Sequence, residues 1–359
     1  MNPLIPTIAS LADPAFTQAV QIKIDQKTKP LGALGQLETL AATLAQVLGD
    51  LAPVLAQPQL VVFAADHGLA ARGVSAYPQD VSWQMVENFL SGGAAVSVLA
   101  RQHGIQLTVV DCGVKHDFLA GLPQGQQRPG LLVRKVAGCE AGTADASIAP
   151  AMDAEQCAQA IRNGRELLSA LPGNVLLLGE MGIGNTSAAA LLLARLGGHD
   201  IGLCTGAGTG LDAAAVARKT AVLRGVLERH AQAQTPLEAL AALGGMEIAT
   251  MVGAILEAAR TRRVVLVDGF IASSAVLVAC ALQPAVRERC VFAHCSGERG
   301  HALMLQDLQA EPLLNLGLRL GEGSGAALAW PLLVSAAAVL RDMASFASAG
   351  VSEADAAAP

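Results

Sequence analysis

The chain has 359 residues, enough to bury a full core in one large or two modest domains. Apolar residues make up 52% but aromatics only 3%, so the interior has to be built from closely packed Ala, Leu and Val. A net charge of -6 with no Lys/Arg run excludes an electrostatic nucleic-acid surface, which needs clustered cations to displace counterions, and points to small-molecule partners.

The start, MNPLIPTIASLADP, has neither a basic segment nor a long apolar core, so no signal peptide is expected and a cytoplasmic location follows. Residues 13–50 show helical periodicity in two pieces, separated by KTKPLGALG, where Pro30, Gly32 and Gly35 punctuate. From residue 59 the texture changes, and short apolar runs of strand type alternate with helix-length segments. QLVVFAAD (59–66) precedes a helix over roughly 81–100. QLTVVDC (106–112) precedes a loop region containing a strand LLVRKV (131–136) and a helix near 153–170. NVLLLGE (174–180) leads to helices near 186–196, 211–231 and 246–260, and RVVLVDG (263–269) and CVFAHC (290–295) are each followed by a helical stretch. Apolar runs without polar alternation are strands buried on both faces, and their alternation with helices implies a parallel sheet in an α/β fold with helices on both sides. Strand order is not readable at this level, and no internal repeat is visible. The 17 uncharged residues from Ser324 to Leu340 are interrupted by Pro331 and fall short of the ~20 needed to span a bilayer, so a buried core helix is expected there, and no membrane. The last residues, 351–359, are expected to be a flexible tail. Seven cysteines form no CxxC pair and read as buried, reduced thiols.

The polar residues fall in a pattern. Asp66, Asp111, Glu180, Asp268 and His294 each close an apolar run, and in an open parallel sheet those carboxyl ends share one rim, where ligands bind. Taken singly, each is also a plausible turn residue. Two glycine-rich loops leave the same rim, GEMGIGNTS (179–187) and TGAGTGLD (205–212). Each opens a helix whose free N–H groups suit a phosphate, although such loops also serve only as tight turns. Neither is a Walker loop or a dinucleotide fingerprint, which argues against a nucleotide triphosphatase and an NAD-dependent oxidoreductase. AHCSGERGH (293–301) matches no zinc spacing, a helix start at Ser296 with Glu298 in its first turn accounts for the acid, and no metal is expected. GEGSG (321–325) is not a nucleophile elbow, because Ser324 sits one position off. That leaves Glu322 unexplained: an acid inside a glycine cluster that runs into an uncharged stretch is either a loop accident or a working group.

Several segments carry a resemblance: KPLGALGQLE (29–38), ADHG (65–68), SGGAAV (91–96), GEMGIGNTS, GGMEIATMVG (244–253), LVDGFIASSA (266–275) and LRLGEGSGAAL (318–328). In order, over residues 20–345, they resemble the nicotinate-nucleotide-dimethylbenzimidazole phosphoribosyltransferase family of cobalamin synthesis. The resemblance implies a six-stranded parallel sheet flanked by helices, a small helical domain drawn from both chain ends, a homodimer, and no cofactor. The division it suggests is 1–58 for the N-terminal helical part, 59–310 for the sheet domain and 311–350 for the Gly-Glu-Gly loop with its closing helix. It implies transfer of 5-phosphoribosyl from nicotinate mononucleotide to a benzimidazole. Glu322 would be the general base and Glu180 the ribose or charge-stabilising acid. Lys219, Ser296, Gly208, Asn185 and Gly182 would contact the nucleotide phosphate or ribose, and Gln84, Met85 and Leu320 would line the acceptor pocket. Where family members have a small Ser before the proline of an SP pair, this chain has Tyr77 before Pro78, which leaves the acceptor open among benzimidazoles, adenine and phenols. A non-catalytic nucleotide-binding relative is the alternative, disfavoured by the presence of Glu322.

Overall fold

The computed structural model describes residues 3–123, 125–208 and 210–352. Six strands form one all-parallel sheet: β1 Gln59–Ala65, β2 Gln106–Gly113, β3 Leu131–Val133, β4 Val175–Met181, β5 Val264–Val267 and β6 Cys290–Phe292. Their spatial order is β3-β2-β1-β4-β5-β6. The winding reverses between β1 and β4, and at such a switch point the loops leave in opposite directions and open a crevice at the carboxyl ends of the strands.

Every residue of β1 and of β4 is buried, as their unbroken apolar runs require. Alternate side chains enter two separate cores. Val61, Phe63 and Ala65 join a core with the helices Ala154–Ala170, Asn185–Gly197, Met246–Arg260 and Phe270–Leu282. Leu60, Val62 and Ala64 join a second core with Pro14–Asp25, Gln36–Leu48, Val81–Ser91, Ala95–Gln102 and Ser324–Asp342. The result is three layers, helix over sheet over helix.

The chain ends meet. The Lys27 backbone bridges Ser345 in antiparallel fashion, Thr28 N–H donates to the Ala344 carbonyl at 3.1 Å, and Phe346 N–H donates to that of Gln26 at 3.0 Å. The helix Ser324–Asp342 is long and apolar enough to cross a membrane by length and composition, but Ala326, Ala329, Trp330, Leu333, Ala337 and Leu340 are buried in the second core. All seven cysteines are free, and five are fully buried.

Several elements differ from the sequence reading. The helix over 81–100 is two helices, because Gly92 takes a left-handed φ of 81° and ends the first. β3, β5 and β6 stop two or three residues early, and at Asp268 and Ala293 the chain leaves the sheet to build the crevice. A helix at Pro236–Leu243 went unread although its signal is present: Thr235 and Glu238 form a capping box with Pro236 at the first position. Of the tail expected at 351–359, residues 353–359 lie outside the described residues.

Candidate active site

The rim acids divide into two groups, so the expected convergence of five polar residues on one cleft is corrected here. Asp66 accepts the Lys115 N–H at 2.8 Å, and Asp111 accepts those of Gly113 at 3.0 Å and Val114 at 2.8 Å. Asp111 also pairs with Lys135 at 3.3 Å. Both hold the turn after β2, and Asp66 ties it to the end of β1. Glu180 and His294 line a cleft with Glu322, and Asp268 lies directly beneath the loop that carries Glu322.

That loop has an unusual backbone. Gly321, Glu322 and Gly323 all take left-handed φ, at 80°, 67° and 92°, a conformation that costs roughly 1–3 kcal/mol for a residue with a side chain. The cost is met by the acids around it. Glu322 N–H donates to Glu180 Oε1 at 3.4 Å and Gly323 N–H to Asp268 Oδ2 at 3.2 Å. Ala326 N–H, in the first turn of the following helix, donates to Asp268 Oδ1 at 2.9 Å. Successive left-handed residues turn their N–H groups toward a common side, a concavity suited to anions, and here the protein's own carboxylates fill it. Gly321 has to be glycine, since a Cβ there would lie 2.4 Å from Glu180 Oε1.

The electrostatic consequence is a cluster of acids with raised proton affinity. Burial, with repulsion from Asp268 added, pushes the Glu322 carboxyl up to about 7. Burial and Asp268 push Glu180 up to about 8, opposed by hydrogen bonds from the Glu322 backbone and from Asn185 Nδ2. One carboxylate is therefore poised near neutral pH and its neighbour is mostly protonated there.

Elsewhere the cleft is lined by Thr186 and Gly208, with Lys219 behind Thr186 and Glu298 beside them. Gly184, left-handed at 98°, opens the helix Asn185–Gly197 with no side-chain cap among the described residues, while Asn185 N–H donates to the Gly182 carbonyl at 3.1 Å and Ser187 N–H to that of Gly184 at 2.9 Å. Lys219, fully buried on the helix Ala213–Arg229, donates to Thr186 Oγ1 at 2.8 Å. Burial lowers its ammonium to about 8, with Glu298 acting in the opposite direction. Gly208 N–H donates to Glu298 at 3.3 Å. Here again the sequence reading is corrected: the helix begins at Arg299, not Ser296, and Glu298 makes no capping bond but faces Gly208 and Lys219. Ser296 N–H and hydroxyl both lie 2.9 Å from His301 Nδ1.

Of the residues singled out from sequence, Glu322, Glu180, Asn185, Gly182, Gly208, Ser296 and Leu320 line this one cleft, and Lys219 reaches it through Thr186. Tyr77, Gln84 and Met85 do not line it. Tyr77 is half exposed, and Gln84 and Met85 lie on the helix Val81–Ser91, which is tied to the cleft loop by the Ile183 N–H donating to Ser82 Oγ at 3.1 Å. Thr186, read from sequence as a donor at the start of that helix, also lines the cleft, whereas Arg319 and the capping role of Asp268 were missed. Also missed was the buried pair His67–Glu247, 2.7 Å apart beneath Gly182. Burial is the largest influence and works against the His67 imidazolium, but Glu247, Asp66 and Glu180 together outweigh it and the net shift is upward.

Residues 9–351 match the family described as phosphoribosyltransferase. A protein of Variovorax paradoxus named nicotinate-nucleotide-dimethylbenzimidazole phosphoribosyltransferase is 67% identical over 99% of both chains. One of the same name from Cupriavidus necator is 55% identical over 97% of this chain and 99% of its own. The chain belongs to the nicotinate-nucleotide-dimethylbenzimidazole phosphoribosyltransferase family. A solved member, CobT from Thermus thermophilus, superposes with a TM-score of 0.88 at 40% identity, covering 95% of this chain and 100% of that one. The six-stranded parallel sheet with its flanking helices is thus the fold of the phosphoribosyltransferase family.

Proposed function

We propose that this chain transfers 5-phosphoribosyl from nicotinate mononucleotide to 5,6-dimethylbenzimidazole or a related base, giving α-ribazole 5'-phosphate and nicotinate in cobalamin synthesis, with Glu322 as general base. One observation carries the reading: a buried carboxylate, held in a strained left-handed turn by two other acids and raised to about 7, faces a cleft that Lys219 reaches through Thr186. The acid cluster suits a pyridinium ring, and Lys219, Thr186 and the positive end of the helix Asn185–Gly197 suit a phosphate.

The chemistry follows from these groups. Breaking the glycosidic bond returns the electron pair to the ring nitrogen, so nicotinate leaves with its ring neutral while positive charge builds on the ribose. The acids around C1' stabilise that charge. A neutral benzimidazole has one N–H and one free ring nitrogen. When the free nitrogen attacks C1', the product is cationic until the N–H proton leaves, and Glu322 receives it. A base whose pKa lies near the working pH contributes typically ~10²- to 10⁴-fold. Glu180 contacts the ribose, and Ser296, Gly208, Asn185 and Gly182 complete the nucleotide side. Leu320, Gln84, Met85 and Tyr77 shape access for the acceptor. The two chain ends form the small domain expected from sequence, the protein works as a homodimer in the cytoplasm, and no metal or cofactor takes part.

The test mixes protein, nicotinate mononucleotide and dimethylbenzimidazole and follows nicotinate release with formation of the riboside phosphate. Glu322→Gln keeps the shape but cannot accept the proton, so turnover should fall by ~10²-fold or more. Unchanged turnover removes Glu322 as the base. A panel of benzimidazole, adenine and phenol acceptors, scored by kcat/KM, identifies the acceptor.

A further inference from the structure

His294 follows β6 and is only 2% exposed, yet neither ring nitrogen has a hydrogen-bond partner among the described residues. A buried imidazole with nothing to bond is costly, so its surroundings should show what it faces. Its Nε2 lies 3.7 Å from Asp268 Oδ1. The ring lies against the backbone of Gly325, where a Cβ would come within 2.1 Å of Cδ2 and 2.5 Å of Nε2. On its other side stands His301, edge-on at 6.1 Å between centroids. The His301 nitrogens are engaged by Ser296 and by Ser273 Oγ at 3.1 Å. The backbone on either side of His294 is fixed as well: Cys295 N–H donates to the Leu314 carbonyl at 2.9 Å, and Leu314 N–H to that of Ala293 at 3.0 Å.

We infer that His294 is a positioning residue for the transfer: its Nε2–H is aimed at Asp268, the carboxylate that pins the Gly323 and Ala326 N–H groups, and it thereby sets how strongly Asp268 repels Glu322. The inference rests on the role proposed for Glu322. Asp268 Oδ1 already accepts from Ala326 and Oδ2 from Gly323, and a third donor from His294 shares its charge further. At 3.7 Å the contact is longer than a hydrogen bond; catalytic contacts of this kind commonly tighten when substrate fills a cleft, and the role inferred for His294 requires that this one does. The glycine at 325 has a reason on this view, since no other residue leaves room for the ring beside Asp268. The charged and titratable groups around His294 are Asp268 after β5, Glu180 on β4, Glu322 on the loop, Glu298 and Arg319 across the cleft, and His301 on the helix Arg299–Asp307, whose imidazole is lowered to about 4 by burial and then by His294, against the pull of Asp268.

Replacing His294 by Phe keeps a ring and removes the donor. Asp268 then acts on Glu322 without that sharing, the Glu322 carboxyl rises further, and the acid limb of the kcat/KM–pH profile moves to higher pH by about one unit. His294→Gln, which keeps an N–H donor, should return the limb toward its wild-type position. A merely structural role predicts lower kcat with the limb unmoved, and that result overturns the inference. Should the Phe variant fail to fold, ¹⁵N-histidine NMR of the wild-type protein decides. A His294 ring with its proton on Nδ1 and Nε2 bare refutes the proposal, and a protonated Nε2 supports it. Glu322→Gln separates the two readings, because unchanged turnover in that variant removes the base itself, whereas an unmoved limb in the Phe variant removes only His294.

Discussion

Gly179→Ala tests whether the position of Glu322 matters as much as its charge. Gly179 lies in the middle of the sheet, paired with Val62 of β1, and its φ is not left-handed, so its backbone accepts alanine and the effect is steric. The new Cβ would sit 2.4 Å from the Glu322 carbonyl oxygen and 2.9 Å from its carbon, where ordinary contact starts at 3.4 Å. Something has to move by about 1 Å. β4 is held by neighbours on both sides, and the loop above it is held by three hydrogen bonds, so the loop gives way. Overpacking of this kind destabilises by roughly 1–3 kcal/mol, and a misplacement of about 1 Å at the reacting groups costs ~10²-fold in rate. The expected result is a folded protein, melting a few degrees lower, with kcat reduced far more than its stability explains and with the KM for the nucleotide little changed. Wild-type kcat in the folded variant would refute the claim that the backbone beneath Glu322 sets its chemistry.

Two further substitutions follow from the buried charges. Glu180 has a folded pKa of about 8 against an ordinary value of 4.5. The folded state therefore binds its proton more tightly than the unfolded chain, and the associated stability is fully present below about pH 4.5 and lost as pH rises through about 8. Glu180→Gln should consequently melt like wild type at pH 5 and higher than wild type at pH 9, and equal melting differences at both values would contradict the burial argument. Lys219→Met keeps the stem and removes the ammonium. A charged hydrogen bond of about 1.5–3 kcal/mol then disappears, and KM for nicotinate mononucleotide rises ~10- to 100-fold in steady-state kinetics. A rise confined to the acceptor KM would place the phosphate elsewhere.

The α/β class, the parallel sheet and nearly every long helix were legible because burial on both faces leaves a mark in the sequence: LVVFAA and VLLL have no polar alternation. Glu322 was legible for the opposite reason, being a charge where the surrounding glycines and apolar residues gave it no ordinary use. What was not legible depends on distances across the sheet. Asp66 and Asp268 look alike in sequence, each closing a strand before a glycine or a histidine, yet one reaches Lys115 N–H, 49 positions on, after the neighbouring strand β2, and the other reaches N–H groups 55 and 58 positions away in the Glu322 loop. Strand order decides between them, and only the crossing at β1 and β4 places β5 beside the Glu322 loop. The misreading of Glu298 has the same source: a first-turn acid has a local explanation, and its true partner, Gly208, is 90 residues distant.

The charge layout of the cleft also fixes what happens to protons when the nucleotide binds. At pH 7, a Glu180 carboxyl with a pKa of about 8 carries its proton about nine-tenths of the time, and Glu322, at about 7, half the time. A pyridinium brought against them favours both carboxylates and expels protons. The phosphate acts in the other direction on Lys219, but with a pKa of about 8 that ammonium is already about nine-tenths protonated and can take up only about a tenth of a proton. Net release is therefore expected, and binding of nicotinate mononucleotide should tighten as pH rises from about 6 to about 8. Calorimetric titration in two buffers of different ionisation enthalpy measures this directly, and Glu180→Gln should remove most of the release. Once the bond breaks, the ring loses its positive charge and leaves a carboxylate beside two acids that have just been deprotonated, so the same cluster that draws the ring in repels it afterwards. Titrations in which the nucleotide takes up protons, or in which the Gln variant releases as many as wild type, would mean that the ring does not lie against these acids.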